Sequence, residues 1–216
     1  MAERGSAERE SAERATREWA ERESVERESV WHATAEDASG GRPGVDAAAG
    51  APAVAAGSVT LAANLVAALA ARGWTAAVAE SLTGGLVTSA VVDVPGASRV
   101  LRGGVVAYAT PLKATLLGVD TDLLERSGPV HAEVAEQMAR GVRERLGADV
   151  GLATTGVAGP GPQDVHPAGE VHVAVVTPTG VRVESLMLAG DRSQIRAAAC
   201  RGVLACALTA VAADPR

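Results

Sequence analysis

From residue 58 onward the chain falls into two rhythms of apolar and polar positions. Short apolar runs closed by Gly, Pro, Thr or Asp predict strands at Trp74–Ala79, Gly104–Ala109, Asp149–Thr155, Glu170–Thr177 and Val181–Leu188. Between them, longer stretches predict helices at Ser58–Ala71, Gly85–Val92, Thr121–Arg126, Ala132–Leu146 and Ser193–Ala212. One helical turn is expected at Ala97–Leu101, after the Pro95-Gly96 break. Thr110 and Pro111 have the chemistry of an N-cap and a first helical position, for a helix running through Leu117. Ser58 can cap the first helix and Gly73 can stop it. Strands that alternate with helices argue for a layered α/β fold. The closing hairpin around Pro178-Thr179-Gly180 makes its sheet mixed.

Residues 1–57 follow a different rule. An imperfect pentad of the type Ala-Glu-Arg-Glu-Ser runs over residues 2–30. A five-residue period advances about 140° per repeat on an α-helix, so its small apolar positions spiral and build no stripe to bury. A Gly/Ala/Pro linker follows at 38–57. This tail is expected to be disordered or loosely helical, with Trp19 and Trp31 as the anchors of any functional arm. The globular domain is expected over 58–216.

Composition narrows the function classes. Net charge is −6 and the pI is near 5.3, with no basic run, so a nucleic-acid partner is not expected. No long uncharged apolar stretch predicts a membrane span, and the charged start lacks the apolar core of a secretory signal. A cytoplasmic location is expected. With aromatic residues at 2%, the core must be built from Val, Leu and Ala, which suits a sheet covered by helices. Cys200 and Cys206 share one predicted helix, with Cα atoms roughly 9 Å apart, too far for a disulfide. Neither has a CxxC partner or a nearby histidine, so zinc and thiol chemistry are not expected.

The candidate chemistry starts from scarcity. Lys113 is the only lysine among twenty basic residues, and Tyr108 is the only tyrosine in a chain without phenylalanine. A composition that replaces lysine by arginine wherever charge suffices keeps a lysine where an amine must lose its proton. Lys113 falls in the first turn of its predicted helix, where the macrodipole lowers an amine's pKa, as a general base requires. Two further segments leave predicted strands at the same end. Glu80-Ser81-Leu82-Thr83-Gly84-Gly85 opens a helix, so its glycines and free N–H groups suit a ligand or an oxyanion. Thr154-Thr155-Gly156-Val157-Ala158-Gly159-Pro160-Gly161-Pro162 is a second glycine-rich strand-to-loop segment, and open α/β sheets bind ligands beyond the carboxyl ends of their strands. Arg192, opening the last helix, could reach a phosphate. His131, His166 and His172 lack the spacing of a metal site on one helix, and no metal or cofactor is expected.

In order and spacing these segments resemble the CinA C-terminal domain family, whose characterised activity is nicotinamide-nucleotide amidase. The resemblance covers roughly 58–212. It also rests on Val94-Pro95-Gly96-Ala97-Ser98, Gly103–Tyr108, Leu117-Gly118-Val119, Pro167–Val171 and Gly190-Asp191-Arg192. It implies a three-layer α/β/α sandwich with a mixed, mainly parallel sheet. It also implies an amidohydrolase that turns nicotinamide mononucleotide into nicotinic acid mononucleotide and ammonia, and a homo-oligomer. Carried over, the nucleophile is Ser81, the relay Tyr108 and the base Lys113. Glu80, Thr83, Gly84, Gly85, Thr155, Gly156, Gly159 and Arg192 are expected to bind substrate. The chain departs from the family at Ala109-Thr110 (usually Ser-Asn), at His131 (often serine) and near His166 (often lysine). A non-catalytic nucleotide-binding module and a Schiff-base lysine enzyme are the alternatives. The first would tolerate arginine at 113, and the second leaves Ser81 and its loop unexplained.

Overall fold

The computed structural model describes residues 53–215. The pentad, Trp19, Trp31 and the linker as far as residue 52 lie outside the described residues. The first helix, α1, runs Ala53–Arg72, so it begins before Ser58 and includes the end of the expected linker. Ala-rich sequence propagates a helix readily, and Ser58 sits inside it, buried, rather than capping it. The other elements follow in alternation. They are β1 (Ala76–Glu80), α2 (Leu86–Val92), a 3-10 turn (Ala97–Arg99), β2 (Leu101–Val106), α3 (Thr110–Leu117), α4 (Thr121–Ser127), α5 (Ala132–Arg145), β3 (Val150–Gly156), β4 (Glu170–Val176), β5 (Val181–Met187) and α6 (Arg192–Ala213).

The five strands form one mixed sheet in the order β2-β1-β3-β4-β5. β1 pairs parallel with β2 and β3, while β4 runs antiparallel to both β3 and β5. Thus β1, β2, β3 and β5 point one way and β4 alone opposes them. β2 starts three residues before the expected Gly104, because Leu101 already pairs with Ala76 of β1 and Arg102 is accommodated at a bulge before Gly103, despite the weak strand propensity of the glycines.

Alternation along the strands separates two cores. Ala76 and Val78 of β1, Val150 and Leu152 of β3, and Val171, Val173 and Val175 of β4 face α1, α2 and α6. Ala77 and Ala79, Ala153, and Ala174 and Val176 face α4, α5 and the end of α3. The result is the three-layer α/β/α sandwich. Alanines on the second face leave room for α5 to lie close, and a Cβ at Gly141 of α5 would run into the Leu117 carbonyl. α6 is long and apolar enough to span a bilayer by composition alone. Its apolar residues Ile195, Ala199, Val203, Leu204, Ala207 and Val211 are buried in the first core, which accounts for its character. Cys200 and Cys206 are buried and unbridged, and burial pushes their thiols up to about 11 and about 12, so neither is a thiolate near neutral pH.

Candidate active site

The parallel strands β2, β1 and β3 deliver their C-terminal loops to one edge of the sheet, as an open α/β sheet places its ligand crevice. A cavity of about 330 Å³ opens there, with Ser81, Tyr108, Lys113, Thr155, Gly156, Gly159 and Arg192 in its walls.

Ser81 directly follows β1 and extends its pairing, since its N–H donates to the Thr154 carbonyl at 3.1 Å. Its hydroxyl accepts from the Lys113 Nζ at 3.1 Å. The same amine donates to the Ala107 carbonyl at 2.8 Å and lies 3.5 Å from the Tyr108 carbonyl. Lys113 is only 1% exposed, and burial pushes its amine from 10.5 down to about 8. Desolvation by burial is the cause of the depressed value. Helix α3 also begins differently from expectation. Ala109 is its N-cap residue, and Thr110, with no side-chain cap bond, is already helical ahead of Pro111. A neutral amine has two N–H groups and a lone pair. With one N–H held by Ala107, the lone pair can take the Ser81 proton.

Tyr108 is 59% exposed at the cavity mouth. Its hydroxyl accepts from Arg192 Nη2 at 2.9 Å, while Arg192 Nη1 donates to the Gly159 carbonyl at 2.9 Å. The guanidinium therefore bridges the β2–α3 connection and the glycine-rich loop. Lys113 and Arg192 are the basic groups in the lining, which contains no acidic side chain.

Four expected substrate contacts lie elsewhere. Glu80 and Ser81 are consecutive, so they leave the sheet on opposite sides. The fully buried Glu80 carboxylate points to the α2 side and caps that helix. It accepts from the N–H groups of Gly85 (2.9 Å), Val87 (3.1 Å) and Thr88 (2.8 Å), and from the Thr88 hydroxyl (2.6 Å). The left-handed Gly85, at φ 95°, turns the chain into that cap. Gly84 N–H donates to the Ser81 carbonyl, and the buried Thr83 hydroxyl bonds that of Thr154 at 2.8 Å. The amides of Gly84 and Gly85 are therefore spent within the turn. Among the described residues, those of Leu82 and Thr83 make no hydrogen bond. Leu82 lines the cavity immediately after Ser81, which makes its N–H the candidate oxyanion donor.

Sequence reasoning missed three further participants. Arg196, one helical turn after Arg192, holds the carbonyls of Leu82 (2.9 Å) and Thr83 (2.7 Å) and so fixes the serine turn. The i, i+4 spacing of two arginines was its available signal. Thr110 and Gln163 line the cavity without any motif to mark them.

Residues 58–211 match the sequence profile of the CinA C-terminal domain. The chain belongs to the CinA C-terminal domain family. A CinA-like protein of Frankia casuarinae is 54% identical over 125 residues, covering 58% of this chain and 29% of the relative. A putative competence-damage inducible protein of Desulforamulus reducens is 47% identical over 132 residues, covering 61% and 32%. The chain thus spans less than a third of the length of these relatives. Solved CinA-type structures correspond almost end to end. The competence/damage inducible protein CihA of Agrobacterium tumefaciens superposes with a TM-score of 0.69 at 34% identity, covering 72% of this chain and 96% of that one. The competence damage-inducible protein A of Klebsiella pneumoniae gives 0.70 at 31%, covering 72% and 98%. The cavity at the carboxyl edge of β1, β2 and β3 is therefore set in a CinA-type domain.

Proposed function

We propose that this domain is an amidohydrolase that deamidates nicotinamide mononucleotide. The observation that carries the reading is the Ser81–Lys113 contact of 3.1 Å around an amine that burial holds near pKa 8. About a tenth of such amines are neutral at pH 7, enough to poise a general base.

An amide carbonyl is a poor electrophile, so the hydroxyl must lose its proton as it attacks. Lys113 takes that proton while Ser81 Oγ bonds to the carboxamide carbon. The carbonyl oxygen becomes an oxyanion facing the Leu82 N–H. Collapse of the tetrahedral adduct breaks the C–N bond. The leaving nitrogen takes the Lys113 proton, directly or through the Tyr108 hydroxyl, and departs as ammonia. Water then attacks the seryl ester, with Lys113 accepting its proton and returning it to Ser81. The products are nicotinic acid mononucleotide and regenerated enzyme. Arg192 supplies a cation at the mouth, and a wall without carboxylates suits a phosphorylated substrate. No metal or cofactor is required by this sequence of steps. A cytoplasmic homo-oligomer acting on a small-molecule nucleotide is the setting we infer from the family.

The test is ammonia release from nicotinamide mononucleotide by the purified chain, with equimolar nicotinic acid mononucleotide as co-product. Absence of both, with the nucleotide still bound, would convert the domain into a binding module.

A further inference from the structure

The loop from Val157 to Gly169 forms one side of the cavity, and its outermost part is a tight turn. Gln163 and His166 exchange backbone hydrogen bonds of 2.9 Å in both directions, with Asp164 in the left-handed region at φ 51°. Gln163 lines the cavity from this turn. What fixes His166 therefore fixes Gln163.

His166 is held from outside the turn. Its Nδ1 lies 3.1 Å from Glu170 Oε2, at the start of β4. The other carboxylate oxygen, Oε1, lies 3.4 Å from Nε2 of His172, two residues along the same face of β4. His172 Nδ1 is in turn 2.9 Å from the Ser185 hydroxyl of β5. In the sheet His172 stands opposite Thr155, itself a cavity residue whose hydroxyl donates to the Pro129 carbonyl. One carboxylate thus joins the wall of the cavity to its floor.

We propose that Glu170 is the positioning residue of the cavity's loop wall, clamping the Gln163–His166 turn with a strength set by histidine protonation. The sign follows from the charges that face it. Glu170 is acceptor-only when ionised, and each imidazole is the stronger donor when protonated. The charged neighbours are His166 from the loop and His172 from β4. His131, at the start of α5, acts on His172 with like charge when protonated. Burial pulls His172 below its ordinary value, Glu170 opposes that shift, and His131 and His166 add to it. His166, at the turn itself and 3.1 Å from Glu170, is the histidine through which charge reaches the turn directly. The turn is held more firmly when the imidazole of His166 is protonated, because the pair with Glu170 Oε2 is then ionic, and more loosely when it is neutral. A partly exposed ion pair of this kind shifts an equilibrium by up to about fivefold.

The substrate part of this inference rests on the proposed amidase reading, but the structural part does not. The decisive measurement is hydrogen exchange at the Gln163 and His166 amides from pH 5.5 to 8, corrected for the intrinsic rate. Wild type is expected to lose about two- to fivefold protection as pH rises through that range. Glu170→Gln, which cannot ionise, is expected to show low and pH-independent protection. Should Glu170→Gln fold poorly, His166→Gln removes the imidazole with the carboxylate in place, and the same flat profile is expected. Equal, parallel protection in wild type and a folded variant would overturn the proposal. The second readout is KM for nicotinamide mononucleotide, which should rise with pH in wild type and stay flat in both variants while kcat keeps its own profile. Complete lack of turnover would end the amidase reading and leave the exchange result standing.

Discussion

Replacing Lys113 by methionine keeps the stem and removes only the amine, so rate and stability should move for separable reasons. Holding the ammonium in a site 1% exposed lowers its pKa from 10.5 to about 8, which costs the folded state about 3 kcal/mol at pH 7. The folded pKa lies below the unfolded one, so the unfolded chain binds more protons between the two. The wild type therefore gains stability from this group as pH rises from about 8 to 10.5, and the penalty falls below about 1 kcal/mol at pH 10. The methionine variant escapes the penalty but strands the buried Ala107 carbonyl, at a cost of about 1–3 kcal/mol. At pH 7 it should lie between unchanged and about 2 kcal/mol more stable than wild type. At pH 10 the comparison should shift against the variant by about 2 kcal/mol. Urea unfolding of both proteins at the two pH values reads that shift directly. Turnover should meanwhile fall by ~10²–10⁴-fold or more, and wild-type kcat/KM should climb with pH to a plateau above about 8. A stability difference that ignores pH would refute the buried, depressed amine. Turnover within about tenfold of wild type would refute its role as base.

The remaining predictions use the same cavity. Ser81→Ala should abolish ammonia release yet bind nicotinamide mononucleotide by calorimetry within about threefold of wild type, because the hydroxyl attacks and does not hold; tight binding with retained turnover would point to water as nucleophile. Tyr108→Phe should lose about tenfold or more in kcat if the hydroxyl moves a proton. An unchanged kcat would reduce that hydroxyl to a partner of Arg192. Glu80→Gln should cost about 2–3 kcal/mol, since an amide cannot accept from all four donors at the start of α2. Thermal unfolding would show it, and a near-unchanged midpoint would mean that the α2 cap holds without the charge.

The layered fold and the Ser81, Tyr108 and Lys113 set were legible because they depend on rhythm and on scarcity. Near-continuous apolar runs such as those of β1, β3 and β4 mark strands buried on both faces. One lysine in an arginine-rich chain singles itself out. Less legible was anything decided by which way a side chain leaves a strand end. Glu80 sits beside Ser81 in sequence and across the sheet from it in space. The glycines after it read as ligand-binding amides, but the turn uses them itself. Ends of elements were similarly obscure. Leu101 belongs to β2 through its pairing with Ala76 rather than through propensity, and Thr110 is helical although threonine is a good cap. Arg196 acts on a turn more than a hundred residues away in sequence, whereas Glu170 reaches His166 only four residues back, and neither contact is marked by a motif.

The back-to-back arrangement of Glu80 and Ser81 makes strand register decisive for the candidate site. A slip of β1 by one residue would exchange their faces. The carboxylate would then enter the cavity against Lys113, hold its proton and repel a phosphate, while a serine faced four donors at the start of α2 that it could not satisfy. Misregistered chains would thus be inactive and unstable together. The pairing register of the central strand therefore sets both the stability of the α2 start and the placement of Ser81 at the cavity.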